Sequence, residues 1–520
     1  MVNNFLKNNL AILFGNVFFK IGGYIYKFLM VYLLNNYAYG ILTIISPFQN
    51  ILQTLAAGGL PPTISKYVSE YNATNQKENS YKLILVSIKI AILLGITFGL
   101  LMIFFIAPLL VKIYNNNSLL LPLQIIGLIV PFSAIVGVFR GIFQGTYEMA
   151  HILTSRAIEQ ITMILSAIVL IILGFSVVGA IFGSVIGFFS SLISVIIILH
   201  KYFLDIFQGM LKLKMDFKEE IKIAYKIISF SIPVILTAIS EIGIYSMTTT
   251  IMPLFITISE IGYFGIAEPI ARLPLMISNS LATTILPVTS EMFASKNTNI
   301  LKKYMFNALR YNLIIMVPIC LFIMIFSKEV LLVMFFTKPF YSKGANVLTI
   351  LTLGMFFYSI FAITSSMIQG AGKPKSSMYL LIGGFIQILL LSFIFIPYFG
   401  VNGGAISTTL TTATMTLISL IYLNKHISLK FNMIHYLKIL FAGIIIAIFL
   451  LILPKNLIGF YIGLLFLFPI YLITLMIIKG FTADDLNILM KIENKLPFKL
   501  TIIKKMMIKG TEVNFNEYRK

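Results

Sequence analysis

Long apolar runs separated by short polar connections set the pattern of this chain. Each run is roughly 20 residues or more, enough to cross the hydrocarbon of a bilayer as a helix. Fourteen can be marked, near 10–34, 40–64, 83–111, 119–144, 153–172, 176–199, 227–256, 264–290, 304–326, 345–369, 376–396, 401–423, 436–453 and 457–478. A soluble reading fails on charge, because only 11% of the 520 residues are charged where a soluble surface needs about a quarter. The pattern predicts an all-α polytopic membrane protein with about 14 transmembrane helices.

The net charge of +21 could point to nucleic acid, but its placement points elsewhere. Basic residues crowd alternate connections, such as Lys66, Lys77 and Lys82, or Lys201 through Lys226, and the stretch after Ile478. The other connections hold only Lys112, Lys328, Lys338, Lys343 and Lys455. This asymmetry is the signature of membrane orientation, so both termini are expected in the cytoplasm and nucleic acid is not expected as a partner. The first run has no small-residue cleavage site and reads as an uncleaved span. Cys320 is the single cysteine and lies in an apolar run, which excludes an intrachain disulfide and leaves no cysteine-based metal site. The four histidines show no ligand spacing, so neither a metal nor another cofactor is expected.

Shifting the sequence by 225 against itself aligns Gly40 with Gly265, Pro62 with Pro287 and Gln144-Gly145 with Gln369-Gly370. Gly179-Ala180-Ile181 also falls on Gly404-Ala405-Ile406, and Leu192-Ile193-Ser194 on Leu417-Ile418-Ser419. The shift carries each span onto the one six further on, an even number, so the halves are parallel repeats about an axis along the membrane normal. The expected architecture is an N-lobe over 1–200, a basic linker over 201–226 and a C-lobe over 227–424. Two further helices over 425–480 and a basic tail over 481–520 complete it. The linker "DIFQGMLKLKMDFKEEIKIAYK" and the tail segment "LPFKLTIIKKMMIKG" mix apolar residues with lysines. Each is either an amphipathic helix on anionic headgroups or a solvated linker.

With the repeat in place, particular stretches resemble a known family. "YGILTIISPFQNILQTLAAGGLPPTISKYVSEY" from Tyr39 resembles the second helix of oligosaccharide and polysaccharide flippases. "FRGIFQGTYEMAHILTSRAIEQI" from Phe139, "ARLPLMISNSLATTILPVTSE" from Ala271 and "MIQGAGKPKSSMYLL" from Met367 are similar to the stage V sporulation protein B-like branch. That branch belongs to the multidrug/oligosaccharidyl-lipid/polysaccharide (MOP) exporter superfamily. The resemblance implies two lobes around a cavity open to one side at a time. It also implies a polyprenyl-phosphate or -pyrophosphate sugar as cargo, turned from inner to outer leaflet. Lipid II flippases tend to carry arginines in their cavity helices; here Leu52-Gln53 stands where a basic pair is expected, a departure from that pattern.

Charged residues inside spans are the candidate site, because a charge at mid-bilayer costs about 2.5–3.5 kcal/mol on insertion scales and is placed for a purpose. Asn16, Lys20, Gly23 and Lys27 fall within about 60° of one another on the first helix. Two ammonium groups and an amide on one stripe suit a phosphate, and the glycine lets a bulky head approach. Lys27 can also be read as snorkelling to the headgroups. Glu268 and Arg272 stand at i, i+4 and can pair; Arg272 then either lines the cavity or serves structure. Glu241, which the 225 shift places on Asn16, is with Glu268 a candidate for Na⁺ or proton coupling, or a counter-ion for a lysine. Arg140, Glu148, Arg156 and Glu159 read as a structural ion-pair cluster. "LAAGGLPPT" from Leu55 is expected to break the second helix, and "ILPVTS" from Ile285 to mark the same place in the second lobe.

No Walker A motif is present, and all four aspartates lie outside the spans, so an enzyme or an ATP-driven pump is not expected. The reading is a monomeric flippase for a lipid-linked oligosaccharide. The alternative is a multidrug and toxin cation antiporter of the same superfamily, which should carry carboxylates rather than lysines in its cavity.

Overall fold

The computed structural model describes residues 19, 21–57, 59–212, 215–294, 298–427, 433–481 and 485. These form helices throughout. The first half holds α1 (Ile21–Leu33), α2 (Asn36–Ala57), α3 (Leu60–Ala73), α4 (Lys77–Leu101), α5 (Ala107–Tyr114) and α6 (Leu120–Gly145). It continues with α7 (Met149–Leu170), α8 (Ser176–Tyr202) and the short α9 (Leu204–Lys212). Then come α10 (Phe217–Ile251), α11 (Ile258–Arg272), α12 (Leu275–Ala294), α13 (Thr298–Ile325) and α14 (Ser327–Met334). Last are α15 (Ala345–Gly370), α16 (Pro374–Ile427), α17 (Met433–Ile452) and α18 (Leu457–Ile477).

Nine stretches among the described residues are long and apolar enough to cross a membrane. Two of them, Met149–Tyr202 and Pro374–His426, are each a pair of helices joined at a glycine with left-handed φ, Gly174 at 95° and Gly400 at 55°. An L side chain resists that backbone, and the two turns lie close to one repeat length apart. With the helical stretches over 21–33, 36–73 and 258–294, the fourteen expected segments are accounted for.

The described residues pack as two compact units, one within Met1–Pro269 and Leu381–Ser407, the other within Ile270–Leu380 and Thr408–Lys520. These units follow packing rather than the repeat, since α10 belongs with the first half of the chain. In lipid, apolar side chains gain nothing by leaving their solvent, so helices associate by close backbone approach and interhelical polar contacts. The first unit shows the former. Gly179, Gly183 and Gly187 make one face of α8, and a Cβ on any of them would come within 3.0 Å of Leu170, Ala167 or Met163 on α7. The second unit shows the latter. Fully buried Asn312 on α13 accepts from the Ser278 hydroxyl on α12 at 2.6 Å and donates to Ser359 on α15 at 3.1 Å. The same three helices share an apolar core of Ile285, Met305, Leu309 and Met367, which Leu423 of α16 joins.

The repeat is visible in packing as well. In the first unit Gly145 ends α6 against Ser65 and Val68 of α3; in the second, its equivalent Gly370 ends α15 against Leu286 and Thr289 of α12. One expectation needs correction. The second helix is interrupted between α2 and α3, as the glycine pair of "LAAGGLPPT" predicts. Pro287 of "ILPVTS", however, lies inside an unbroken α12. The interruption of the eighth span falls earlier, at 273–274, where Pro274 restricts the residue before it away from helix. A single proline without adjacent glycines leaves α12 continuous.

The ion-pair cluster is structural in part. Arg140 pairs with Glu159 at 2.6 Å and donates to Ser155 and Ser191, tying α6 to α7 and α8. Of the two basic segments, the linker contains α9, while 496–510 lies outside the described residues.

Candidate functional site

Asn16 and Lys20 lie outside the described residues. Lys27 lies within them, and its position on α1 is informative. Ile21 and Ile25 are about half exposed, whereas Met30, Val31 and Leu34 are buried. At about 100° per residue, Lys27 falls between the three buried positions and roughly opposite Ile21 and Ile25. It is half-buried, on the face turned away from the apolar, exposed one. The helix is held in that rotation by Tyr26, whose hydroxyl donates to the Ala180 carbonyl at 3.2 Å, and by Gly22, which lies flush on Gln160. Gly23, one turn before Lys27 on the same face, has open space where a Cβ would go. Among the described residues, this side of α1 therefore places Lys27 beside the open space at Gly23.

Glu241 is exposed on α10, in a row spaced by four residues with Ser229, Pro233 and Thr237. Beside the row run the apolar, exposed Ile228, Ile232 and Leu236. Glu268 and Arg272 are both half-buried in the last turns of α11, the helix that leads into the break at 273–274. A second polar row, Ser280, Thr284, Pro287 and Glu291, is exposed along α12 in the second unit. Its Ser and Thr hydroxyls bond back to their own helix, so Glu291 is the member that calls for water.

The sequence did not single out a crossing of α2 and α11, one helix from each half of the chain, inside the first unit. The Asn36 amide donates to the Ser259 carbonyl at 2.7 Å, and the Tyr39 hydroxyl to the Gly265 carbonyl at 3.1 Å. Gly40 lies so close to the Ile258 carbonyl that a Cβ there would be 2.1 Å away, and one on Gly265 would be equally close to the Thr43 hydroxyl. The repeat-equivalent glycines thus stand on the two sides of one contact. Their coincidence under the 225 shift was the available signal. The crossing joins the ends of α2 and α11 that follow lysine-free connections. At the lysine-rich end, α10 meets α3 and α4 through polar contacts instead: Ser231 with Thr63 at 2.9 Å, Lys82 with Glu219 at 2.9 Å, and Lys89 with Glu220 at 2.6 Å.

Two parallel repeats, helices crossing between them through glycine, and a lysine turned away from the exposed apolar face of its span are the parts of a transporter. The family comparison agrees: the profile of the polysaccharide biosynthesis protein family matches residues 5–293, more than half of the chain. The chain belongs to this family. A second profile, MatE, matches residues 233–396, and the protein is a multi-pass membrane transporter of the MOP superfamily. Among relatives, an uncharacterized membrane protein of Methanocaldococcus jannaschii is 26% identical over 439 residues, covering 81% of this chain and 99% of that protein. Stage V sporulation protein B of Bacillus subtilis is 24% identical over 480 residues, covering 88% and 90%. Among solved structures, the lipid II flippase MurJ in an inward closed conformation superimposes with a TM-score of 0.68 at 17% identity, covering 89% of this chain and 98% of that one. At that identity the likeness establishes the fold.

Proposed function

We propose that this transporter flips a lipid-linked oligosaccharide, a polyprenyl-phosphate or -pyrophosphate sugar, from the inner to the outer leaflet for assembly of a surface glycan. The observation that carries the reading is Lys27 on the inward-turned face of α1, beside the open volume at Gly23. A cation in that place suits the phosphate of such a lipid, and the proteins similar to this chain include one named a lipid II flippase and one named stage V sporulation protein B. Lys20 and Asn16 extend the stripe by about one and two turns beyond Gly23 on the helical periodicity of the sequence, and Arg272 is the candidate cation of the second lobe.

Transport on this reading runs by alternating access between the lobes 1–200 and 227–424, with both termini cytoplasmic and the protein acting as a monomer. The α2–α11 crossing is then an outer gate. It is held by two hydrogen bonds to carbonyls and by close approach at glycines, the kinds of contact that join helices in lipid. Glu241, exposed in a polar row on a span, is the candidate for Na⁺ or proton coupling, with Glu268 the second. A cation antiporter is the competing reading, favoured by the MatE match over 233–396 and by Glu241.

The test is mass spectrometry of lipids retained when the protein is purified gently from its own cells, beside the Lys20→Ala/Lys27→Ala variant. A retained polyprenyl-linked sugar that the variant loses supports the proposal. Absence of any such lipid, with binding of organic cations displaced by Na⁺ or protons, transfers the protein to the antiporter reading.

A further inference from the structure

We propose that the protein holds an anionic phospholipid by its headgroup phosphate in a cavity at the lysine-rich ends of α4 and α8. The cavity has a volume of about 380 Å³ and is lined by Asn72, Lys77, Tyr81, Lys201, Tyr202 and Asp205, among others.

Depth is the first argument. Lys77 begins one membrane-spanning stretch and Tyr202 ends another, so the cavity sits where apolar span gives way to water, at the level of headgroups. Charge is the second. On α4, Lys82 is neutralised by Glu78 and Glu219, and Lys89 by Glu220. Lys77 and Lys201 form no ion pair among the described residues, and the Lys201 ammonium lies 5.2 Å from the centre of the Tyr202 ring. Asp205 is the one acid in the lining, so the cavity keeps a net positive charge. Hydrogen-bond donors other than the lysines are at hand in the Asn72 amide and the Tyr81 hydroxyl.

The surroundings give a lipid more to hold than a free phosphate would find. Tyr202 and Leu204 at the rim are 57% and 42% exposed, which places apolar surface beside the charges for glycerol and the first methylenes of acyl chains. Nearby on α10, Phe217, Ile221 and Tyr225 are exposed one turn apart, with Lys218 and Lys222 exposed between them. Such a face enters the headgroup layer. The floor is fixed, because α9 lies on Tyr81 so closely that a Cβ at Gly209 would sit 2.3 Å from the ring. The site is separate from the α1 stripe, and its test does not depend on the cargo.

The experiment is native mass spectrometry of the full-length protein titrated with phosphatidylglycerol or with phosphatidylcholine. Wild type should hold phosphatidylglycerol that phosphatidylcholine does not displace. Lys77→Ala/Lys201→Ala should weaken that binding about 30-fold, as expected for two lysines at an anionic surface. Lys77→Arg/Lys201→Arg should restore it, and Asp205→Asn should strengthen it. Both lysines are exposed, so the variants fold. Equal retention of the two lipids overturns the proposal, as does unchanged retention in the double alanine variant. Displacement of phosphatidylglycerol by millimolar inorganic phosphate also overturns it, by assigning the cavity to a soluble anion.

Discussion

Gly40 offers the sharpest perturbation. A Cβ added there would lie 2.1 Å from the Ile258 carbonyl oxygen, where ordinary contact begins at 3.4 Å. The obstacle is backbone, so no rotamer change relieves it, and α2 and α11 must part by about 1.3 Å. Overpacking of this kind costs about 1–3 kcal/mol. If the crossing opens during transport, the open state carries none of that strain, and the equilibrium between crossed and parted helices moves by about 5- to 150-fold. The readout is a cysteine at Thr43, which lies under Gly265, introduced into a Cys320→Ser background. Membrane-impermeant maleimide, applied from the face opposite the lysine-rich one, should label Gly40→Ala faster by that factor. Gly23→Ala, where a Cβ meets nothing within 4 Å, should leave the rate unchanged. An unaltered rate in Gly40→Ala, at normal expression and insertion, would refute the crossing as a gate.

Other outcomes follow from single residues. Lys27→Ala should insert and fold normally yet lower cargo affinity about 10- to 150-fold, the worth of one charge-assisted contact, while Lys27→Arg keeps most of it; equal affinity of all three proteins would remove Lys27 from the site. Arg310 is fully buried on α13, pairs with Asp485 and also donates to the Gly480 carbonyl at 3.3 Å. Asp485→Ala should therefore cost about 3–5 kcal/mol of stability by stranding a buried charge, and Arg310→Leu/Asp485→Leu should recover most of it, as thermal unfolding in detergent would show. Burial lowers the Lys338 ammonium below the ordinary lysine value. The folded state thus releases this proton before the unfolded chain does, so stability should rise with pH just below that ordinary value, and Lys338→Met should flatten the rise. A melting curve whose pH slope is identical in the variant would contradict the burial argument.

Most of the fold was legible because its cause is local. Apolar length alone marks the spans, and the glycines at 174 and 400 mark tight turns inside the two longest helical stretches. The 225 shift carried more than it was first asked to, since Gly40 and Gly265 prove to be the two sides of one crossing. What stayed hidden depends on partners distant in sequence. Nothing in the apolar run over 304–326 says that Arg310 meets Asp485, 175 positions on. Periodicity put Lys27 on one stripe with Gly23, and in the structure that stripe lies away from exposed Ile21 and Ile25, because a helix buries one side whatever its partners are. It could not place the break of the eighth span, which falls at Pro274 and not at Pro287 of "ILPVTS". Asn16 and Lys20 keep their standing from the helical pattern alone.

The claim at the centre is that Lys27 serves an anionic lipid-linked sugar. The most direct measurement is flipping in proteoliposomes, using a fluorescent polyprenyl-pyrophosphate sugar and a quencher that does not cross the bilayer. The account predicts that wild type brings the sugar lipid across faster than empty vesicles, and that Lys27→Ala, reconstituted to the same density, does so no faster than empty vesicles. Wild type that leaves the sugar lipid in place while exchanging an organic cation for Na⁺ or protons would contradict it.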